Sequence, residues 1–93
     1  MMLGELEYRA NGQSVILRID SITAQAPGFV IVASGNIKRK QIRALRHGPT
    51  TLILRNAAGM ALFSKVVDNI NWLDEAYRFH ANHITACQPI GLA

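Results

Sequence analysis

The sequence predicts an α+β fold, in which a five-stranded antiparallel sheet carries two helices packed mainly on one face, in the order βββ-α-ββ-α. Three observations lead to this prediction. Apolar runs bounded by turn dipeptides indicate strands. Two other segments separate into apolar and polar sides when they are drawn as helices. The chain has only 93 residues, so we expect a single small domain that covers positions 1–93.

The first hairpin can be predicted in register. Asn11-Gly12 is a preferred dipeptide for a type I′ turn, because both central residues of that turn have positive φ. A two-residue loop there brings compatible side chains opposite each other on both faces of the hairpin. The pairs are Leu6 with Leu17, Tyr8 with Val15 and Glu5 with Arg18. Strands are therefore expected over about 4–10 and 13–24.

Three further strands follow from turn signals. Pro27-Gly28 fits the middle of a type II turn, and the apolar run over 29–33 is typical of a strand that is buried on both faces. A second hairpin is expected to join strands over 50–55 and 60–67 through a turn at 56–59. The last residues, 88–93, are expected to be irregular.

The segment between the hairpins contains half of the ten Lys and Arg residues and no carboxylate. On a helical wheel its apolar residues and its cations fall on opposite sides, with Lys38 as the exception. Asn36 is a suitable N-cap and Gly48-Pro49 is a strong stop signal, so we predict a helix over 37–47. Its basic residues are Lys38, Arg39, Lys40, Arg43, Arg46 and His47.

A localised basic helix indicates an anionic partner. Cations at Lys38, Arg39 and Lys40 oppose the helix macrodipole by about 0.3–1 kcal/mol each, so folding alone does not favour them there. We therefore expect the six basic residues of this helix to bind the phosphates of nucleic acid, or another polyanion. No aromatic residues suited to stacking on bases lie near them, which favours backbone contact over base reading. The competing interpretations are a solvated face and contact with a membrane surface.

A second helix is predicted over 70–87, because the polar residues of this segment share a narrow sector and its apolar residues fill a broad arc. A strand that starts at Tyr77 is the rival assignment, but the helix accounts for more residues. So wide an apolar arc on so small a chain predicts a homodimer with this helix in the interface. The expected interface residues are Trp72, Tyr77, His80 and Ile84.

The same apolar arc supports an alternative function. In that hypothesis the chain is a structural or assembly subunit of a phage or other mobile-element complex, and the apolar face of helix 70–87 is its working surface. The positive charge would then only keep the protein in solution. The two hypotheses differ in the surface that they use.

Neither a metal site nor an enzyme is predicted. His80, His83 and Cys87 would lie on one side of helix 70–87, but a closed zinc site needs a fourth ligand that the pattern does not supply. The sequence has no GxSxG, P-loop, GxGxxG or HExxH motif, so no catalytic residue and no cofactor is assigned. A metal-free nuclease with His47 and His80 as base and acid is the weakest alternative.

The expected location is the cytoplasm. No apolar run approaches the roughly 20 residues that span a bilayer, and the chain does not open with a signal-peptide pattern. Its single cysteine excludes an internal disulfide and fits a reducing compartment.

Overall fold

The computed structural model describes residues 3–68, 70–76 and 82–91, which form seven strands and one helix. The strands make one antiparallel sheet in the spatial order β5-β4-β1-β2-β3-β7-β6. The predicted five-stranded sheet with two helices is therefore wrong. In chain order the elements are β1 (Gly4–Ala10), β2 (Gln13–Gln25), β3 (Gly28–Asn36), α1 (Arg39–Arg46), β4 (Thr50–Asn56), β5 (Ala61–Val67), β6 (Asn71–Glu75) and β7 (His83–Gly91).

The first hairpin is confirmed in register, and its strands end within one residue of the predicted bounds. Asn11 and Gly12 have φ values of 50° and 76°, as a type I′ turn requires. The cross-strand pairs are those that the sequence predicts: Leu6 with Leu17, Tyr8 with Val15 and Glu5 with Arg18. Local turn chemistry and side-chain alternation therefore suffice to define this part of the sheet.

The connection from β2 to β3 differs from its prediction. The Ala26–Pro27 peptide bond is cis, and Gly28 begins β3 without a positive φ, so the predicted type II turn is wrong. β3 is also buried on one face rather than two, because Ile31 and Ala33 are buried while Val32 between them is only half-buried. The turn between β4 and β5 is confirmed.

The predicted helix over 70–87 is wrong. The described residues of this segment form β6 and β7, and β7 continues to Gly91, so the expected irregular segment is also wrong up to that residue. Alternate residues of β7 are buried, which is the period of a strand. Pairing with β3 along the whole of β7 outweighs the local helical pattern. The buried residues are Ile84, Ala86, Gln88 and Ile90.

The hydrophobic core lies on one face of the sheet and is covered at one end by α1. Tyr8, at the centre of β1, is fully buried, and its hydroxyl donates a hydrogen bond to Gln88 Oε1 at 3.1 Å. Burial, and then the nearby Cys87 thiol, raise the pKa of Tyr8 well above its usual value. The phenol therefore stays protonated and remains a donor. We call the opposite side of the sheet the outer face.

α1 has eight residues. In the part of the chain that the structure describes, no helix is long and apolar enough to cross a membrane.

Candidate nucleic-acid interface

α1 is amphipathic, and its orientation on the sheet follows from that pattern. Ile42, Ala44 and Leu45 are buried against the sheet, and the helix contacts β1 and β2. A helix that buries its apolar side must expose the opposite side, where the cations lie. The predicted helix over 37–47 therefore corresponds to Arg39–Arg46, which starts two residues later and ends one residue earlier.

Gln41 connects the N-terminus of α1 to the sheet. Its side-chain Oε1 accepts a hydrogen bond from the backbone N–H of Lys38 at 2.7 Å, and its Nε2 donates to the backbone oxygen of Ser14 on β2 at 3.1 Å. Lys38 is the N-cap residue, so the predicted N-cap at Asn36 is wrong. Gln41 is the N3 residue, so its side chain supplies the half of a capping box that satisfies the N-cap N–H.

Asn11 holds the other end of the helix. From the turn between β1 and β2, its Nδ2 donates hydrogen bonds to the backbone oxygens of Ala44 at 2.9 Å and of His47 at 3.4 Å. Ala44 lies in the last turn and its oxygen also accepts the backbone N–H of His47 at 3.4 Å, while His47 is the C-cap residue, whose carbonyl lies beyond the helical hydrogen bonds. A further salt bridge joins Arg46 to Glu75 of β6. The helix is therefore fixed at both ends relative to the sheet.

The six predicted nucleic-acid-binding residues are all exposed, but they do not share one surface. Arg39, Arg43, Arg46 and His47 line an open depression of about 270 Å³ beside Ile42. Lys38 instead borders a second depression of about 460 Å³ on the other flank of the helix, next to Gln41. The structure thus brings three arginines and a histidine together along one side of α1, with Lys38 apart from them.

Most of the cations of α1 form no salt bridge with the residues that the structure describes. In residues 3–68, 70–76 and 82–91, no salt bridge involves Lys38, Arg39, Lys40 or Arg43. The first turn of the helix also contains no acidic residue. Arg46 is the exception, because its guanidinium contacts Glu75. Among the described residues, a carboxylate therefore compensates the positive charge of α1 at the C-terminal end of the helix, through Glu75.

The outer face of the sheet shows the opposite arrangement around Glu7. This carboxylate is 5% exposed and accepts hydrogen bonds from Arg9, Arg55 and, at 2.6 Å, the hydroxyl of Ser14. Burial alone would favour the protonated acid, but the bonds from Arg9, Ser14 and Arg55 outweigh it and lower the pKa of Glu7 to about 2. Arg18 of β2 also lies beside a carboxylate, since its Nη2 is 3.8 Å from Oδ1 of Asp20.

Exposed arginines and lysines without internal partners are suited to binding phosphate. A guanidinium offers several donors in a planar fork that matches phosphate oxygens, and a lysine adds a compact charge. Arg39 and Arg43 are one helical turn apart and on the same side, so both can reach a single anionic surface. His47 adds an imidazole ring at the C-terminal end of this row of arginines.

Of the four residues predicted for a subunit interface, the structure describes two, Trp72 and Ile84. Ile84 is fully buried in the core, and Trp72 on β6 is half-buried and packs against it. Tyr77 and His80 lie outside the described residues. Because the described residues of segment 70–87 form strands, the predicted apolar helix face is wrong, while the homodimer itself stays a prediction.

The histidine and cysteine cluster also changes with the secondary structure. His83 and Cys87 are four residues apart on β7, which places their Cα atoms about 13 Å apart in an extended strand. That separation is too large for both to bind one ion. His80, the third member and the suggested nuclease partner of His47, lies outside the described residues. Among the residues that are described, no group of three or more His, Cys, Asp or Glu side chains is placed to bind a metal.

Sequence reasoning missed the residues that position α1. Asn11 was assigned to a turn, and its second role as a helix cap has no separate sequence signal, because Asn-Gly is already explained by the turn. Gln41 has no distinctive signal in the sequence, although its amide group bonds to the sheet. Glu7 has no sequence signal either, since its partners Arg9 and Arg55 come together only in the folded sheet.

Comparisons with protein families, with curated proteins and with solved structures find no match to this chain. No relative therefore supplies a function, and the observations that bear on function are the geometry and charge of the basic helix.

Proposed function

We propose that α1 is a nucleic-acid-binding element that contacts backbone phosphates without strong base specificity. Arg39, Lys40 and Arg43 form the centre of the contact and Lys38 lies at its flank. One observation carries the proposal: in the part of the chain that the structure describes, these four cations make no salt bridge, whereas the arginines of the sheet each lie beside a carboxylate.

The placement of these charges supports a role outside folding. Lys38, Arg39 and Lys40 occupy the N-cap and the first two positions of α1. There each cation opposes the macrodipole by about 0.3–1 kcal/mol at low salt. A bound phosphate would remove that cost, because anions are stabilised at a helix N-terminus.

Contact with the phosphate backbone fits this helix better than reading of bases. A glutamine can recognise adenine in the major groove, but the amide of Gln41 is already bonded to Lys38 N and to Ser14 O. The exposed side of α1 otherwise carries cations and His47. Such a surface fixes position on a nucleic acid and carries little sequence information.

Salt dependence is the direct test of phosphate contact. If four phosphates of duplex DNA are neutralised, log K should fall with log salt at a slope of about −3.6, at roughly −0.9 per phosphate. The contacts expected are those of Lys38, Arg39, Lys40 and Arg43, because Arg46 is engaged with Glu75. Titration of labelled duplexes of unrelated sequence should give similar affinities and the same slope.

A matched pair of variants locates the contact. Arg43→Glu on α1 and Arg18→Glu on β2 change the net charge equally, and both side chains are exposed. We expect Arg43→Glu to weaken binding and flatten the slope by about 1. Arg18→Glu should change binding much less, because Arg18 lies on the outer face of the sheet. The double variant Arg39→Glu/Arg43→Glu should flatten the slope by about 2.

Two results would contradict the proposal. If the wild-type protein binds neither DNA nor RNA at low salt, the basic helix is only a solvated surface. If Arg43→Glu and Arg18→Glu weaken binding equally, net charge rather than α1 attracts the nucleic acid. Equal binding of a non-nucleic polyanion such as heparin would show that α1 recognises negative charge in general.

A further inference from the structure

β5 is an edge strand with an unusual number of exposed apolar side chains. In the described part of the chain it pairs with β4 only, and β6, the other edge strand, does not run alongside it. Leu62 and Val66 are 55% and 61% exposed, and Met60 just before the strand is 63% exposed. An exposed apolar edge is a template for pairing with another strand.

The two edges of the sheet differ in their protection. β6 has five residues, is irregular between Trp72 and Asp74, and carries the charges of Asp74 and Glu75. Short length, bulges and charges all discourage edge pairing. β5 also has an irregularity, at Leu62 near its start, but it is longer, with seven residues, and carries a single charged side chain, Lys65. An incoming strand therefore meets less hindrance at β5 than at β6.

The sequence of β5 is complementary to itself. In an antiparallel pair with a two-fold axis at Ser64, Leu62 of each copy faces Val66 of the other, and both lie on the outer face with Ser64. On the inner face, Phe63 of each copy faces Lys65 of the other, which is a favourable cation–π pair. This register thus matches apolar with apolar residues and keeps like charges apart.

Neighbouring registers lack these matches. Moving the axis to Lys65 places the two lysines opposite each other, and like charges directly opposite are destabilising. Moving it to Phe63 places Val66 opposite Met60 and Phe63 opposite Phe63, but it places Leu62 of each copy opposite Ser64, so both leucines lose their apolar partner. If the axis lay between two residues, a residue whose backbone N–H and C=O point away from β4 would lie opposite one whose groups point toward β4. The two copies could not then form the antiparallel hydrogen bonds.

We propose that β5 binds β5 of a second copy of this chain, antiparallel and around a two-fold axis at Ser64, so that the two sheets become continuous. The interface is isologous, as expected of a symmetric dimer. Leu62 and Val66 supply its apolar contacts, and the free edges of the two β5 strands supply its backbone hydrogen bonds.

A cysteine cross-link tests the register. In the proposed dimer the Cα atoms of the two Ser64 residues are about 4.5–5.5 Å apart, which a disulfide can span. Ser64→Cys in a Cys87→Ser background should therefore give a covalent dimer on mild oxidation. Ile53→Cys, directly beside Ser64 on β4, is the matched control. Its two copies would be about 14 Å apart and should not cross-link.

Charged substitutions test the contacts. Val66→Lys should raise the dimer dissociation constant in analytical ultracentrifugation by roughly tenfold or more, because the change occurs twice in a symmetric dimer. Ile16→Lys is the matched control, since Ile16 is 54% exposed on the outer face but belongs to β2, inside the sheet. It should leave the dissociation constant unchanged.

The outcomes decide the proposal. A wild-type protein that stays monomeric across the concentration series overturns it. A dimer that is insensitive to Val66→Lys, or that cross-links through Ile53→Cys and not through Ser64→Cys, also overturns it and assigns the interface to another surface. Open-ended oligomers would instead indicate that β5 of one copy binds β6 of the next.

Discussion

Arginine side chains have different surroundings on the sheet and on the helix of this protein. On the sheet, Arg9 and Arg55 flank the buried carboxylate of Glu7, and Arg18 lies beside Asp20. On α1, Arg39 and Arg43 are exposed and make no salt bridge within the described residues. The difference is one of partners more than of exposure, because the side chains of Arg9 and Arg18 are 57% and 67% exposed although each lies beside a carboxylate.

This difference separates charges that stabilise the fold from charges that are available to a ligand. The Glu7 cluster satisfies a buried carboxylate, and removal of one member leaves the others without compensation. On α1, Lys38, Arg39 and Lys40 oppose the helix macrodipole at its N-terminus, whereas Arg43 and Arg46 lie in the last turn, where a cation is favourable. Lys65 on β5 also takes part in no salt bridge among the described residues, but it is a single charge rather than a cluster.

The largest effect on folding is expected from Glu7→Gln. The lowering of the pKa of Glu7 from 4.5 to about 2 corresponds to at most ~3 kcal/mol, and the partial exposure of Arg9 reduces this value. We therefore expect a loss of about 2 kcal/mol in the free energy of unfolding at neutral pH, measured by chemical denaturation. Glu5→Gln on the same strand is the control, because Glu5 takes part in no salt bridge among the described residues.

The same cluster predicts an acid sensitivity. Because folding lowers the pKa of Glu7, its contribution is complete above about pH 4.5 and is lost as the pH falls towards 2. Denaturation curves of the wild-type protein should show this loss between those values, and Glu7→Gln should remove most of it. A pH dependence that is equal in both proteins would contradict the role assigned to Glu7.

The first hairpin could be predicted from sequence because its information is local. Asn11-Gly12 determines the turn, and alternation on either side then determines the register. The basic helix was recognisable for a similar reason, since its apolar and charged residues separate at helical period and Gly48 follows it. Such elements depend on residues that are close together in the sequence.

β7 could not be predicted because its stability comes from a distant strand. The segment after residue 82 has residues that fit both periods, and pairing with β3 decides between them. Gln88 is an example, because it is a polar residue in the core. Its side chain accepts a hydrogen bond from Tyr8, eighty positions earlier in the sequence, and this distant partner accounts for its burial. The cluster around Glu7 also depends on a residue that is distant in the sequence, because Arg55 on β4 bonds to Glu7 on β1.

Asn11 connects the two regions, and its replacement should have the next largest effect. Asn11→Gly keeps a residue that tolerates positive φ but removes the hydrogen bonds to Ala44 O and His47 O. We expect a loss of about 1 kcal/mol in the free energy of unfolding. Asn11→Ala should cost more, because alanine also disfavours the turn. An Asn11→Gly variant as stable as the wild-type protein would show that the helix cap contributes nothing.

Lys40→Glu should separate stability from binding. A carboxylate in the first turn of α1 interacts favourably with the macrodipole, so the protein should become more stable by about 0.3–1 kcal/mol. The same change should weaken nucleic-acid binding and flatten the salt dependence, because it replaces a phosphate contact by a repulsive charge. Denaturation and binding measured on one preparation provide the comparison. A variant that loses both stability and binding would indicate that Lys40 has a structural role.

The smallest effect concerns two arginines on the same side of α1. Arg43→Gln should flatten the slope of log K against log salt by about 0.9, the contribution of one phosphate. Arg46→Gln should flatten it less, because the guanidinium of Arg46 already contacts Glu75 and must leave that carboxylate to bind a phosphate. Both variants remove one positive charge, so net charge cannot explain a difference between them. If their slopes are the same, the salt bridge to Glu75 does not restrain Arg46 and the whole row of arginines acts as one surface.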